Sequence, residues 1–192
     1  PITAIINSYN LQSQLQDHVI SKISDQISLL DKQKSYVADI EDKIKLTNQQ
    51  HELTNRLMDE QNKKIELLRQ ANNKITEEAQ RIRDKNKQFN TLLWFDENGE
   101  QTVQYVKEYN EASEETQKVM QDVFNQLQSL KKAFTENQSA IINAKNALSD
   151  LNYEFIDLRT EIANTIIDQI KNVLEEQIDA IDEEIEHEQN RH

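Results

Sequence analysis

The four histidines are the side chains in this sequence best suited to metal binding or proton transfer. Glu184 and His187 stand three residues apart, a spacing that forms half of the carboxylate–histidine motif of di-iron four-helix bundles. That motif needs a second Glu-x-x-His pair and two further carboxylates, and no second pair occurs in the sequence. We therefore expect Glu184 and His187 to form an ordinary surface pair, and we predict no metal site.

Other catalytic signatures are missing from the sequence as well. It has no cysteine, no phosphate-binding Gly-x-x-x-x-Gly-Lys-Ser/Thr pattern and no Gly-x-Ser-x-Gly turn. Catalysis also uses a concave site that excludes water, which a chain of long helices does not readily provide. We expect a protein that is not an enzyme and that holds no cofactor.

Turn-forming residues are scarce, and this scarcity predicts the elements. The 192 residues include one glycine and one proline, whereas average chains contain about 7% Gly and about 5% Pro. No run of alternating polar and apolar residues indicates a strand. We predict an all-α protein, a single domain over 1–192, in which two very long helices form an antiparallel coiled-coil hairpin and pack into an oligomeric helical bundle. The expected parts are helix 1 over about 2–93, a bend at 94–101 and helix 2 over about 102–188.

The first arm carries a heptad repeat from Val37 to the bend, which is typical of a left-handed coiled coil. Polar residues occupy core positions in its middle: Thr47, His51, Thr54 and Gln61. Buried polar residues of this kind specify register and partner. The alternative is a locally open, hydrated segment.

Four leucines lie off this seam, namely Leu46, Leu53, Leu57 and Leu67. Three of them share one heptad position, and a second apolar line predicts that a third helix, supplied by another chain, packs there. The alternative is that these are single exposed leucines, which need no explanation.

The bend contains the only tryptophan and the only glycine of the chain. Asp96–Gly99 predicts a turn in which Asn-Gly favours positive φ. The apolar residues just before it are Leu92, Leu93, Trp94 and Phe95. They either plug the end of the coil or form an apolar tip that contacts a protein or a bilayer interface, where tryptophan is favoured.

The second arm recovers a strong heptad repeat from Met120. If the arms pair about Asn98, Gln61 lies near Asn137 and His51 lies near residue 146. Polar core residues would then meet polar ones.

Charge is distributed unevenly along the chain. The net charge is −13, of which residues 1–95 contribute +1 and residues 96–192 contribute −14. Nucleic acid and anionic membrane surfaces are disfavoured partners, because both require clustered Lys and Arg. The segment Glu175–Glu188 carries eight acids, and it is either a solvated face or a docking surface for a basic partner. The candidate residues for that surface are Glu175, Glu176, Asp179, Asp182, Glu183 and Glu184.

These observations favour a structural or assembly protein, an elongated coiled-coil spacer, connector or scaffold that acts through protein–protein contacts and forms homo-oligomers. A virion or phage-tail component would suit this description. One alternative is a secreted helical membrane-inserting toxin or effector that uses the Leu92–Phe95 tip, the one route by which we expect contact with a membrane. Another is an adaptor that docks a basic partner on its acidic C-terminal helix. The sequence shows no signal peptide or transmembrane segment, so localisation stays open.

Overall fold

The computed structural model describes residues 2–191, except the side chain of Ile2, and it confirms the all-α prediction. The helices are α1 (Ile2–Tyr36), α2 (Ile40–Lys85), α3 (Val103–Glu111) and α4 (Glu114–Arg191). A short 3-10 helix covers Thr91–Leu93, and Phe95 and Gln101 form an isolated antiparallel bridge. The two longest helices, α2 and α4, pack against each other.

The helix bounds differ from those predicted. The expected helix 1 over about 2–93 is interrupted at residues 37–39 and ends at Lys85, and the predicted bend at 94–101 is part of a longer connection over residues 86–102. The expected helix 2 over about 102–188 is divided at residues 112–113 and extends to Arg191.

Side-chain caps account for these interruptions without any glycine or proline. The Asp39 carboxylate accepts a hydrogen bond from the Glu41 N–H at the start of α2. The Ser113 hydroxyl accepts one from the Thr116 N–H at the start of α4, and Thr102 caps α3. Asp, Ser and Thr satisfy the unpaired N–H groups of a first turn, so each of them can begin a new helix.

The chain divides into two compact units. The first contains residues 2–18 and 61–146, and the second contains residues 19–60 and 147–191. Each unit takes segments from α1, α2 and α4.

The core of the first unit surrounds Trp94. Its buried residues come from α2, the connection, α3 and α4: Ile75, Ile82, Trp94, Tyr105, Met120, Val123, Phe124, Leu127 and Leu130. Ile6 of α1 packs against the same cluster. Lys64 and Asp17 form an ion pair at 2.6 Å between α2 and α1.

An asparagine pair sets the alignment of α2 and α4 in this unit. Asn137 Nδ2 donates to Asn72 Oδ1 at 3.0 Å, and Asn72 Nδ2 donates to the Phe134 carbonyl at 3.4 Å. The sequence-based pairing placed Asn137 near Gln61, which was wrong. The reason is that the arms do not meet at a tight bend about Asn98, because a long connection and α3 lie between α2 and α4.

Segments of three helices pack together in the second unit. Ile23 of α1, Leu57 of α2 and Leu151 of α4 are buried together. The Gln50 side chain accepts a hydrogen bond from Lys34 Nζ at 2.9 Å and donates to the Ile27 carbonyl at 3.4 Å. These contacts join α1 to α2.

Polar residues line part of the α2 core, as predicted: Thr47, Thr54 and Gln61 are buried. The fourth, His51, stacks on Phe155 with ring centroids 4.0 Å apart and does not face residue 146. His51 Nε2 and Thr54 Oγ1 are buried without a hydrogen-bond partner.

Candidate interaction surfaces

The apolar segment Leu92–Phe95 divides into two inward and two outward side chains. Trp94 is 0% exposed, and Phe95 is half-buried with its ring stacked on Phe124 at a centroid distance of 4.5 Å. Leu92 and Leu93 are 70% and 52% exposed. The surface here therefore consists of two leucines, and the side chain best suited to a bilayer interface is not on it.

Trp94 is fixed by a hydrogen bond and by aromatic contacts. Its Nε1 donates to Glu108 Oε2 at 2.8 Å, and its ring lies edge-on to Tyr105 with centroids 5.1 Å apart. Burial, and secondarily the neighbouring Tyr109, raise the pKa of the Tyr105 hydroxyl above its usual value. Trp94 thus belongs to the core.

The turn after Trp94 has the predicted conformation. Gly99 has φ of 77°, in the region that favours glycine. The Asp96 carboxylate accepts hydrogen bonds from the Asn98 and Glu100 N–H groups. The Asn-Gly signal correctly located the position that needs positive φ.

The second apolar line on α2 is covered from within the chain. Leu57 is 5% exposed and is buried with Ile23 and Leu151, and Leu53 packs against the same cluster. The prediction that another chain supplies the third helix was wrong for these two residues. The break at residues 37–39 lets α1 fold back along α2 and provide that helix. Leu46 and Leu67 are half-buried.

The acidic candidates all lie on the final part of α4. Every residue from 171 to 191 is exposed. The Lys34–Glu161 ion pair, at 2.8 Å, ties α4 to a residue near the end of α1. α1 ends at Tyr36, shortly after Lys34, whereas α4 continues to Arg191. α4 therefore extends many residues beyond this contact.

An apolar stripe that was not predicted from the sequence runs along α4 from Ile156 to Ile185. Its large aliphatic side chains are 48–56% exposed: Ile156, Ile167, Ile170, Leu174, Ile178, Ile181 and Ile185. With Thr160 and Ala163 they follow spacings of three and four residues, as in a coiled-coil seam. We call these nine residues the α4 stripe.

A separate seam on α4 faces the interior of the second unit. Leu151 is buried there, and half-buried residues continue it through Phe155, Leu158 and Ile162. It then becomes polar, with Thr165 and Gln169 at the next positions. The signal for the stripe was present in the sequence, since Ile156, Ala163 and Ile170 repeat at heptad spacing beside this inner seam.

Acids flank the last three residues of the stripe, Ile178, Ile181 and Ile185, on both sides. Residues three or four apart are neighbours on a helix surface. By that rule Glu175 and Asp182 border Ile178, Glu184 borders Ile181, and Glu188 borders Ile185. We call these four residues the rim acids. The bases close to the stripe include Arg159, Lys171 and Arg191 on α4, and Lys34 of α1, which pairs with Glu161.

The first unit also contains a groove that is largely apolar. Its volume is about 360 Å³, and side chains of α2, the connection and α4 line it. Two cations, Arg83 and Lys131, lie among the lining residues, and Arg83 Nε is buried without a hydrogen-bond partner. Lys131 Nζ is already used, because it donates to the Asp96 carbonyl at 3.1 Å.

Residues 2–191 provide neither a membrane-spanning helix nor a cluster of metal ligands. No helix there has an apolar stretch that could cross a bilayer. No group of three or more His, Asp or Glu side chains is arranged to hold a metal ion within the same range.

Comparisons with protein-family models, curated proteins and solved structures found no match. The function of this chain must therefore be inferred from its own residues.

Proposed function

We propose that this chain is a non-enzymatic assembly protein, a spacer, connector or scaffold that acts through protein–protein contacts. In this proposal α1, α2 and α4 pack as a coiled coil, and α4 presents its stripe to a helix of another molecule. The observation that carries the proposal is the row of half-exposed aliphatic side chains at heptad spacing on α4.

The exposed seam suits protein binding for an energetic reason. Fully burying a Leu or Ile side chain stabilises by about 1.5–3 kcal/mol, and six stripe residues from Ile167 to Ile185 are each about half exposed. Covering their remaining surface would contribute roughly 5–9 kcal/mol. That is comparable with the roughly 4–15 kcal/mol that association costs in lost rigid-body freedom, so a covering helix with further contacts can bind stably.

The helix itself also favours a covered state. Residues 171–191 extend about 30 Å at 1.5 Å per residue. Most helical stability in proteins comes from packing an apolar face, and every residue of this segment is exposed. A second helix on the stripe would supply that packing.

The proposal is tested by measuring association of the full chain with itself and with synthetic amphipathic helices. Light-scattering mass reports self-association, and fluorescence anisotropy reports peptide binding. We expect at least one of these associations, and we expect the double variant Leu174→Gln/Ile178→Gln to lose it.

The matched control is Leu11→Gln/Leu15→Gln. These leucines are 58% and 60% exposed, lie four residues apart like the stripe pair, and belong to α1. The control should associate like the wild type. A chain that stays monomeric and binds no amphipathic helix would overturn the proposal, as would equal losses in the two double variants.

A further inference from the structure

We infer that the C-terminal half of the α4 stripe, Ile167–Ile185, docks a basic amphipathic helix of a different protein. This inference rests on the proposed function and adds the chemistry of the partner. Three features of the molecule support it: the exposed seam, the acids on both of its borders, and the excess of these four acids over the two bases, Lys171 and Arg191, that lie within one helical turn of them.

The length and spacing of the seam determine the apolar face that the partner helix needs. Ile167, Ile170, Leu174, Ile178, Ile181 and Ile185 span about 27 Å at 1.5 Å per residue. A partner helix of about 21 residues, with aliphatic residues at the first and fourth heptad positions, covers that length.

The rim acids determine the sign of the charges that the partner helix needs beside its apolar face. In a helix pair the residues that border the seam face the borders of the other helix, and their charges select partner and orientation. From Ile178 to Ile185 each border of this seam carries acids, and no Lys or Arg occurs between Lys171 and Arg191. Lys or Arg at the border positions of the partner would therefore face carboxylates on both sides.

The charges at the borders also argue against a second copy of this chain as the helix that covers the seam. Parallel pairing would place each rim acid opposite the same acids of the other copy. Antiparallel pairing centred near Ile170 would place them opposite a segment in which Arg159 is the sole base between residues 146 and 170. Like charges across a helix pair are destabilising, so self-pairing leaves most of the acidic border unneutralised.

An anionic bilayer is unsuitable for the same reason. Its surface attracts clustered Lys and Arg, whereas acids border the stripe from Ile178 to Ile185. A lipid surface is therefore an outcome that the experiment must be able to reject.

The experiment compares three synthetic 21-residue helices with identical Leu and Ile seams and with Lys, Gln or Glu at the border positions. Binding to the full chain is measured by fluorescence anisotropy at about 50 mM and about 500 mM salt. We expect the Lys peptide to bind at least tenfold more tightly than the Gln peptide at low salt, and the Glu peptide to bind most weakly. The advantage of the Lys peptide should fall to about threefold or less at high salt, because exposed ion pairs are screened.

Two fourfold variants show whether the preference comes from the border of the seam. The rim variant is Glu175→Gln, Asp182→Asn, Glu184→Gln and Glu188→Gln. The far-face variant neutralises four other acids of the same segment: Glu176→Gln, Asp179→Asn, Glu183→Gln and Glu186→Gln. Both remove four charges, and at 100° per residue the second set lies on the side of α4 away from the stripe.

We expect the rim variant to bind the Lys and Gln peptides about equally and the far-face variant to keep most of the preference. Far-ultraviolet circular dichroism checks that both variants retain their helix content. Equal losses in the two variants would overturn the inference, because they would show a general attraction of the acidic segment and no docking at the seam.

Other outcomes separate the inference from the proposed function. If all three peptides bind alike, or if the chain pairs with itself and the rim variant pairs more tightly, the inference fails while an assembly role stands. If no peptide binds and the chain stays monomeric, both fail. Binding to vesicles containing anionic lipid that competes with the Lys peptide would also overturn the inference.

Discussion

Replacing Trp94 tests whether the segment before the turn is core or exposed tip. A tryptophan side chain buries about 150–250 Å², and Trp94 is 0% exposed. At 25 cal/mol per Å² its burial is worth about 4–6 kcal/mol, and measured Trp→Ala substitutions in cores cost about 3–5 kcal/mol. We therefore expect Trp94→Ala to lower the free energy of unfolding by about 4 kcal/mol.

The milder variant Trp94→Phe separates packing from hydrogen bonding. Phenylalanine retains most of the ring, but it cannot replace the indole N–H that donates to Glu108. Hydrogen bonds to charged groups contribute about 1.5–3 kcal/mol. We expect this variant to lose about 2 kcal/mol.

The assay is urea unfolding followed by circular dichroism, with Leu92→Ala as the control. Leu92 lies two residues away, is apolar and is 70% exposed, so its replacement should change stability by no more than about 0.5 kcal/mol. At a slope of about 2–3 kcal/mol per molar urea, Trp94→Ala should lower the unfolding midpoint by roughly 1.5 M.

An equal, small effect of Trp94→Ala and Leu92→Ala would refute this account of the core. Fluorescence of the wild type gives a second check, because this tryptophan is the only one in the chain. Its emission should be blue-shifted and weakly quenched by acrylamide, and neutral vesicles should leave it unchanged. Vesicle-dependent emission lost in a Leu92→Ser/Leu93→Ser variant would instead revive the membrane-active alternative.

Three further substitutions test the packing described above by urea unfolding. Leu57→Ala should cost about 2–5 kcal/mol because it leaves a cavity where three helices meet, whereas Leu29→Ala, at a side chain that is 57% exposed, should cost less than about 0.5 kcal/mol. Asn137→Ala should cost about 1–3 kcal/mol because it leaves the buried Asn72 Oδ1 unpaired, and replacing both asparagines by leucine should recover most of that loss. Gly99→Ala should cost about 1–2 kcal/mol from its positive φ alone, since a Cβ would meet the Lys131 side chain at 3.5 Å, an ordinary contact.

Composition and periodicity were sufficient to predict the helical class and several core positions. Thr47, Thr54 and Gln61 are buried where the heptad repeat placed them. The turn residue was also predictable, because Gly99 is the only residue in the chain free of a Cβ. These features depend on the spacing of residues along a helix and on the backbone freedom of glycine. Both can be read from a single sequence.

The helix break at residues 37–39 was not predicted, and missing it led to a second wrong prediction. Asp39 caps α2 without a glycine or proline, and a lone aspartate at a helix start resembles an exposed aspartate within one. Without that break α1 had no way to return along α2, so the line containing Leu53 and Leu57 was assigned to another chain. The pairing register failed in a related way, because the length of the connection between Lys85 and Val103 was underestimated.

An apolar line on a helix predicts that something covers it, but its spacing does not say whether the cover belongs to the same chain. On α2 the cover is α1, and the contact of Leu57 with Ile23 and Leu151 shows it. On α4 the same reasoning gives a different result, because α1 ends at Tyr36 and residues 171–191 stay exposed. Since acids border this second line, covering it with this chain's own α4 would bring like charges together, and a basic helix would not. The cover of the α2 line is therefore observed within the chain, and the cover of the α4 line is inferred from the acids that border Ile178–Ile185.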